Sequence, residues 1–471
     1  MEIFELSARA LSTALQHREL SAVEVMRACL ARIESVNPKV NAIVSAVDED
    51  AALALARAAD AALDAGGAPP LTGFPHAVKD LADVAGLPTT HGSPLFADRA
   101  RERPARSDSL LAARLRAAGV CFIGKTNTPE FGFGSHTFNP VFGTTRNPHD
   151  TSRSAGGSSG GAAAALATRM LPLADGSDFG GSLRNPASFC GVVGLRPSVG
   201  RVAGEALAGW AARIGVQGPM ARSVDDVALL LSVLAGPDPI DPLADSTPGS
   251  AFAAPLAARD YRGARIGWTA DFGAYPVEAE VAAVCESAIA KAVAAVGADL
   301  DATHPDIDGA MAVFQTQRAA AVRTLALTLE RSFPGWRDVT KDTAVWNFEQ
   351  GLALDMDAFH ASELQRTAIR RRFVDFFASL DFLILPTVQV LPFDAEEPYV
   401  SSINGQPMPT YLDWMTSCCV ISITDLPAIS IPVGRSASGL PIGAQIVGPP
   451  RADRALLEFA HALESALDFD T

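Results

Sequence analysis

The chain has 471 residues, 48% of them hydrophobic and 19% charged, and its formal net charge is −15. This composition is typical of a globular protein and excludes disorder as the main state of the chain. Lys and Arg are not clustered, so the chain lacks the concentrated positive charge that binding to nucleic acid or to an anionic membrane requires. We expect a small-molecule substrate as the partner.

The cysteines and the N-terminus exclude further classes of protein. The six cysteines show neither a CxxC motif nor a partnered His spacing, so no zinc site, other metal site or disulfide framework is expected, and no cofactor is predicted. The first residues do not resemble a signal peptide. No apolar run reaches the roughly 18 residues that a membrane span needs. A cytoplasmic enzyme is expected.

The first 70 residues predict a helical segment that packs on the rest of the chain. Ser21 and Glu24 have the spacing of a capping box at the start of one helix. Asn37-Pro38 is expected to end that helix. A second, alanine-rich helix is expected over residues 50–64, before a Gly-Gly pair.

From residue 71 onward, apolar runs alternate with helical patterns. The predicted strands cover residues 74–78, 120–123, a segment near Ile266, 382–385, 429–433 and 442–447. The predicted helices cover residues 109–118, 162–168, 224–234, 277–296 and 455–467. Alternation of this kind favours an α/β fold with a largely buried, mixed sheet.

Residues 132–218 are unusually rich in Gly and Ser, in particular over 154–161 and 176–182. Tracts of this composition are usually flexible linkers. Here an alanine-rich helical segment follows the first tract, and the apolar run 192–195 follows the second. We therefore expect ordered structure in which glycine permits positive φ or a close approach of the backbone.

Glycine- and serine-rich stretches occur in three kinds of site. Residues 157–161 match GxSxG around Ser159, but a polar loop precedes them where a nucleophile elbow requires a strand. A phosphate-binding loop is disfavoured because the GGSSGG tract at 156–161 contains no Gly-Lys-Ser/Thr. No Ser-x-x-Lys motif exists, yet Lys79 ends an apolar, strand-like run. That lysine is either a desolvated base or the ion-pair partner of the adjoining Asp80.

Several long motifs follow one another along the chain. They are Lys79-Asp80, GLPTT at 86–90, GKTNTPEF at 124–131, GGSSGG at 156–161, DFGGSLR at 178–184, FCG at 189–191, GLRP at 194–197, GPMAR at 218–222 and GLPIG at 439–443. In this order they resemble the amidase signature family. The resemblance implies one large α/β domain at 71–471, whose central mixed β-sheet is covered by helices on both faces. The signature core would lie at about 73–226 and a variable substrate region at about 300–420.

The resemblance also implies a catalytic triad of Ser182, Ser158 and Lys79. Ser182 would be the nucleophile, Ser158 would follow a cis peptide bond and relay the proton, and Lys79 would be the base. Further residues implied at the site are Phe179, Gly180, Gly181 and Ser182, whose backbone N–H groups would form an oxyanion hole, and Ser159, Asp178 and Arg184 in supporting roles.

The implied reaction is hydrolysis of carboxylic amide C–N bonds through an acyl-enzyme, with neutral aryl or alkyl amides as the first choice of substrate. Carbamate (urethane) or ester hydrolysis by the same triad is the alternative. A glutaminase-type subunit of a tRNA-dependent amidotransferase is less expected, because residues 300–420 do not resemble its docking region. Phe131, Phe133 and Phe179 are predicted to line the pocket of a monomer or homodimer.

Three positions depart from the family pattern. Phe179 stands where a smaller or β-branched residue is more usual, and Asp175 occupies an apolar position. Asp425 replaces the glycine often found two residues before Pro427. These departures concern substrate preference and leave the three implied catalytic residues unchanged.

Overall fold

The computed structural model describes residues 2–205, 213–257, 259–467 and 469. Its α-helices are α1 Ala8–Gln16, α2 Ala22–Val40, α3 Glu49–Ala65, α4 Pro94–Glu102, α5 Leu110–Ala117, α6 Gly160–Ala167, α7 Arg184–Cys190, α8 Val224–Leu234, α9 Ala279–Ala295, α10 Ala310–Ser332, α11 Trp336–Val339, α12 Asp342–Ala353, α13 Met356–Phe376, α14 Thr416–Ser422 and α15 Asp453–Leu467. Its strands are β1 Ile43–Val44, β2 Pro75–Lys79, β3 Cys121–Thr126, β4 Phe138–Asn139, β5 Gly143–Thr144, β6 Ala174–Asp178, β7 Val193–Arg196, β8 Val216–Ala221, β9 Arg265–Trp268, β10 Asp299–Ala302, β11 Phe382–Pro386, β12 Ser402–Ile403, β13 Gln406–Pro407, β14 Ala428–Arg435 and β15 Pro441–Val447.

The predicted helices and strands occur with ends that differ by at most three residues. The capping box is present, since Ser21 Oγ accepts from the Glu24 N–H at 3.1 Å and the Glu24 carboxylate accepts from the Ser21 N–H at 2.8 Å. The predicted stop at Asn37-Pro38 is wrong, because α2 runs on to Val40. Proline removes only one donor there, and the next turn still closes through a 2.7 Å bond from the Asn41 N–H to the Asn37 carbonyl.

The main sheet has eight strands in the order β10-β9-β11-β15-β14-β7-β8-β6. It is mixed: β10, β9 and β11 are parallel, whereas β11, β15, β14, β7, β8 and β6 pair antiparallel. The sequence patterns predict neither β6 nor β8, since these strands contain Gly, Asp and Pro, which are depleted in strands. Both strands are largely buried, and this burial overrides that propensity.

A second, three-stranded sheet carries the N-terminal part of the site. Its order is β1-β3-β2, with β2 and β3 parallel and β1 antiparallel to β3. The first 70 residues are therefore not purely helical, since β1 extends a sheet whose other strands come from the signature core. Every residue of β2 and β3 is buried, so the end of β2 reaches deep into the protein.

Side chains of β14 and β15 alternate between two cores on opposite faces of the main sheet. Ile429 and Ile446 belong to a cluster that includes residues of α8, α9 and α15. Ala428 and Val447, their neighbours along the strands, belong to a cluster that includes residues of α10 and α13. Helices thus cover both faces, which confirms the predicted architecture.

A buried ion cluster fixes the loop between β6 and α7. Asp178 ends β6, and its carboxylate pairs with Arg184 at 3.0 Å and with Arg196 at 3.3 Å, all three side chains being inaccessible to solvent. Arg184 also donates to Gln445 Oε1 at 2.7 Å. Burial alone would raise the pKa of Asp178, but the charges of the two arginines outweigh it and hold that pKa below its ordinary value. The cluster joins β6, α7, β7 and β15.

We expect Asp178→Asn to lower the free energy of unfolding by about 3–5 kcal/mol, because it leaves two buried arginines without their counter-charge. Urea unfolding followed by circular dichroism measures this loss. Asp453→Asn is the matched control, since Asp453 pairs with Arg201 at 3.0 Å in a second buried ion pair outside this loop. Both variants should lose stability, but only Asp178→Asn should speed hydrogen exchange at the amides of Gly181 and Leu183, which donate to the Asp178 carboxylate. An Asp178→Asn protein as stable as the unmodified chain would contradict the role given to the cluster.

Candidate active site

A cavity of about 590 Å³ opens where the end of the small, three-stranded sheet meets the loop between β6 and α7. Three serines of the Gly/Ser tracts, Ser158, Ser177 and Ser182, line it. The described lining also includes the three aromatic residues predicted for the pocket, which are Phe131, Phe133 and Phe179. Arg318, Ala321, Val322 and Met415 add a wall from the variable region between residues 300 and 420.

Lys79 lies behind these serines at the end of β2, with 2% of its surface exposed. Its Nζ is 2.7 Å from Ser158 Oγ, 2.9 Å from Ser159 Oγ and 3.0 Å from Ser177 Oγ. No ion pair joins Lys79 to a carboxylate within the described ranges. The adjoining Asp80 instead accepts hydrogen bonds from the backbone and side chain of Thr90. The interpretation of Lys79 as the ion-pair partner of Asp80 is therefore wrong.

The environment of Lys79 favours the neutral amine. Burial lowers its pKa from 10.5 to about 7, although the nearby carboxylates of Asp175 and Asp178 act in the opposite direction. A neutral amine has one lone pair, so one neighbouring hydroxyl must donate to it. Ser159 donates to the Ser177 carbonyl at 3.4 Å, which leaves the hydroxyls of Ser158 and Ser177 to donate to Nζ. Of these two, Ser158 makes the shorter contact.

The segment that carries Ser158 is tied to the loop that carries Ser182. The peptide bond between Gly157 and Ser158 is cis, as the family resemblance leads one to expect. Ser135 Oγ donates to the Gly157 carbonyl at 2.6 Å, and the Ser159 N–H donates to the Ser182 carbonyl at 3.2 Å. These bonds hold the two serines at the same end of the cavity.

The GxSxG alternative gains no support from the geometry. Ser159 is buried and immediately precedes α6, and the residues before it form a loop rather than a strand. Ser159 is also not part of the described cavity lining. His461, the last histidine of the chain, faces Glu464 on α15 at 3.5 Å. Ser159 therefore contacts Lys79 from behind the cavity, in keeping with a supporting role.

The backbone around Ser182 presents N–H groups without internal partners. Gly181 N–H donates to Asp178 Oδ1 at 2.9 Å, so it is already used, whereas those of Gly180 and Ser182 make no hydrogen bond within the described part of the chain. Glycine is required here, because Gly181 has φ 112° and a Cβ at Gly180 would lie 2.6 Å from the ring of Phe314. The hydroxyl of Ser182 likewise has no hydrogen-bond partner among the described residues, so the link from Ser158 to Ser182 is not closed in this structure.

Only one of the three departures from the family pattern reaches the described cavity wall, namely Phe179, which packs on Phe314 at 5.8 Å. Asp175 is buried behind the site, where Oδ1 contacts His76 Nε2 at 3.0 Å and Oδ2 accepts from the Lys79 N–H at 3.3 Å. Asp425 has φ 60°, a conformation that favours glycine, and it pairs with Arg366 of α13 at 2.7 Å. Asp175 thus contacts the backbone of Lys79, whereas Asp425 helps to anchor α13.

Two residues of the site were not predicted from the sequence. Ser177 contacts Lys79, and its signal was its position in the Gly/Ser tract 176–182, directly before the DFGGSLR motif. Arg318 lines the cavity from α10. A single arginine in an amphipathic helix carries no sequence signal of its own, because only the packing of α10 decides which way it faces.

The described ranges contain no group of three or more His, Cys, Asp or Glu side chains arranged to hold a metal ion. All six cysteines are buried and free, and burial raises the pKa of the Cys29 thiol to about 12. Among the helices that the structure describes, none combines the length and apolar character needed to cross a membrane.

Comparison with known sequences places the chain in a family along nearly all of its length. A family model described as Amidase matches residues 24–457. The chain is 34% identical to the A subunit of the glutamyl-tRNA(Gln) amidotransferase of Geobacter metallireducens in an alignment of 493 positions, which covers 100% of this chain and 99% of that protein.

Comparison with solved structures agrees with the sequence match. A bacterial aryl acylamidase of the amidase signature family has a TM-score of 0.89 at 27% identity, covering 98% of this chain and 96% of that one. The 6-aminohexanoate cyclic dimer hydrolase, solved with its substrate, has a TM-score of 0.87 at 30% identity, covering 100% and 98%. The A subunit of the glutamyl-tRNA(Gln) amidotransferase of Thermotoga maritima has a TM-score of 0.77 at 25% identity, covering 100% and 97%. By sequence and by fold, this chain belongs to the amidase signature family.

Proposed function

We propose that this protein is a serine-dependent hydrolase that cleaves carboxylic amide C–N bonds through an acyl-enzyme. Ser182 is the nucleophile, Ser158 the proton relay and Lys79 the base. The observation that supports this most is the buried Lys79, whose Nζ contacts Ser158 Oγ at 2.7 Å beside a cavity that Ser182 also lines. A buried lysine whose pKa lies near 7 and whose amine contacts a hydroxyl is poised to accept a proton.

In the proposed acylation step, Ser182 Oγ attacks the amide carbonyl carbon. Its proton passes to Ser158, whose own proton passes to Lys79 Nζ, so that Lys79 becomes an ammonium. The oxygen of the tetrahedral intermediate is held by the free N–H groups of Gly180 and Ser182, and by that of Phe179. Gly181 contributes less, because its N–H already bonds to Asp178. Lys79 then returns a proton through Ser158 to the amine nitrogen as the C–N bond breaks.

In the proposed second step, water hydrolyses the acyl-enzyme. Its proton moves along the same chain to Lys79 while its oxygen forms the new bond to the carbonyl carbon. Collapse of the intermediate breaks the bond to Ser182 Oγ, which recovers its proton. The products are a carboxylic acid and an amine. Carbamates and esters are the alternative substrates, since the same steps act on any carbonyl with a suitable leaving group.

A glutaminase-type subunit of an amidotransferase is the second candidate function. It is favoured by the name of the Geobacter metallireducens relative, which matches this chain over its full length. The hydrolase is preferred because the fold agrees better with the aryl acylamidase, whose TM-score is 0.89, than with the Thermotoga maritima protein, whose TM-score is 0.77. On this proposal the protein acts on a small molecule as a monomer or homodimer in the cytoplasm.

A fluorophosphonate should label Ser182, as read by peptide mass spectrometry, because this serine has the activated hydroxyl in the cavity. Lys79→Ala should reduce both labelling and amide turnover by at least about 10²-fold, the lower range for loss of a general base. Lys125→Ala is the matched control, since this second buried lysine donates to Thr89 Oγ1 at 3.0 Å and does not line the cavity. Label on Ser159, or an active Lys79→Ala variant, would overturn the assignment.

The rate of hydrolysis should rise with pH through about 7, since Lys79 acts as a base only when it is neutral and its pKa lies near that value. Asp175→Asn removes a charge that stabilises the ammonium, so the acidic limb of the profile of kcat/KM against pH should move to lower pH. Asp453→Asn, a buried carboxylate away from Lys79, should leave the limb in place. A limb that moves to higher pH in Asp175→Asn would contradict the base assignment.

A panel of primary amides, anilides, carbamates and esters separates the candidate functions when it is assayed beside a Ser182→Ala control. The proposed hydrolase should turn over anilides or alkyl amides by itself. Efficient release of ammonia from glutamine, without turnover of the other amides, would favour the amidotransferase function. The measurement is product formation by liquid chromatography with purified protein alone.

A further inference from the structure

Arg318 is a buried cation in the wall of the cavity. It lies on α10, and 6% of its surface is exposed. Phe314, one helical turn earlier, packs against Phe179 with the ring centres 5.8 Å apart. A Cβ at Gly180 would clash with the same Phe314 ring. The guanidinium of Arg318 lies 5.6 Å from the centre of that same Phe179 ring. Arg318 therefore shares a wall of the cavity with the loop that carries Ser182.

Neutral groups hold two of the three guanidinium nitrogens of Arg318. Nε donates to Asn347 Oδ1 at 2.6 Å, and Nη2 donates to the Tyr411 hydroxyl at 2.6 Å. Nη1 has no hydrogen-bond partner, and no carboxylate lies within 4.0 Å, among the residues that the structure describes. This differs from Arg213, the other arginine of the described lining, which pairs with Asp241. Arg318 thus brings an uncompensated charge to the cavity.

The surroundings of Arg318 strengthen its attraction for an anion. Rings of Phe133, Phe179 and Tyr411 have their centres 4.9, 5.6 and 5.7 Å from the guanidinium carbon. Such rings offset part of the cost of burying a cation, but they neither neutralise it nor fill its remaining N–H positions. Between apolar walls an ionic hydrogen bond is stronger than in water, and guanidinium geometry matches a carboxylate.

We propose that Arg318 binds a carboxylate of the substrate, so that the preferred amides carry a negative charge on the part that reaches α10. This inference rests on the proposed hydrolase function and replaces neutral amides as the expected substrate class. Nη1 donates to the substrate carboxylate, while Asn347 and Tyr411 fix the plane of the guanidinium. The carboxylate belongs either to the acyl group or to the amine that leaves, and the substrates below separate these two cases.

The test compares matched pairs of charged and neutral substrates. Half-anilides of linear dicarboxylic acids, paired with alkanoyl anilides of equal chain length, place the charge on the acyl side. Acylated aminobenzoates, paired with the corresponding toluidides, place it on the amine side. The readout is the ratio of kcat/KM for the charged member to that for the neutral member. Arg318→Gln should lower this ratio by about 10–100-fold in one of the two series, the range expected for losing a hydrogen bond between charged groups.

Two further variants make the result specific. Arg318→Lys keeps the charge and should retain part of the preference. Arg323→Gln is the matched control on the same helix, since Arg323 donates to backbone carbonyls of Leu352 and Leu354 and is not part of the described lining. For Arg323→Gln, the charged-to-neutral ratio of kcat/KM should stay within about twofold of the ratio for the unmodified protein. This change is smaller than the loss of a hydrogen bond would cause. A merely structural role of Arg318 would lower both members of each pair equally.

Binding provides a readout that does not depend on turnover. In a Ser182→Ala background, adding Arg318→Gln should raise the dissociation constant of either a charged half-anilide or an acylated aminobenzoate by about 10–100-fold in calorimetry. If binding responds in this way but the unmodified protein hydrolyses no amide, the inference about Arg318 stands and the proposed function falls. If amides are hydrolysed but neither the ratio nor the dissociation constant responds to Arg318→Gln in either series, the inference is overturned and the hydrolase function stands.

Discussion

The ion cluster of Asp178, Arg184 and Arg196 is the interaction on which the geometry of the site depends. Asp178 pairs with two buried arginines, and its carboxylate also accepts hydrogen bonds from the N–H groups of Gly181 and Leu183. The turn that presents Ser182 is therefore built around one carboxylate. Arg184 and Arg196 extend the same network to α14 and to the segment before β8, through the Ser422 hydroxyl and the Ile214 carbonyl. Movement of the turn would expose or unpair charges in the core.

The second constraint is the way in which Lys79 is buried. The buried parallel strands β2 and β3 carry it inward, and hydroxyl groups rather than a carboxylate meet its amine. Hydroxyls satisfy the amine without stabilising its charge, so desolvation dominates and the pKa falls towards neutrality. The carboxylate of Asp175, which contacts His76, acts in the opposite direction and raises the pKa of Lys79. The site thus combines the ion-paired carboxylate of Asp178 with a lysine that makes no ion pair to any residue the structure describes.

The variable region supplies the wall of the cavity that faces this machinery. Helices α10 and α13 pack on the face of the sheet that carries Ala428 and Val447. Asp425 adopts φ 60° and is held by Arg366 of α13, so a position where glycine is often found is kept by an ion pair. Phe179 joins the turn that carries Ser182 to α10 through Phe314 and Arg318. Phe179, which departs from the family pattern three residues before Ser182, is thus in contact with Arg318, the proposed specificity residue.

Sequence alone determined the α/β class, most helix and strand positions and the family, since periodic apolar patterns and long ordered motifs are local properties of the chain. It also singled out Lys79, Ser158 and Ser182, which the tertiary structure brings to one end of a cavity. The sequence could not decide whether Lys79 pairs with Asp80 or what Asp175 and Asp425 contact. It also did not indicate that Ser177 and Arg318 reach the site. Those answers depend on which groups meet across elements distant in sequence, and only the packing of the small sheet, the β6–α7 loop and α10 decides them.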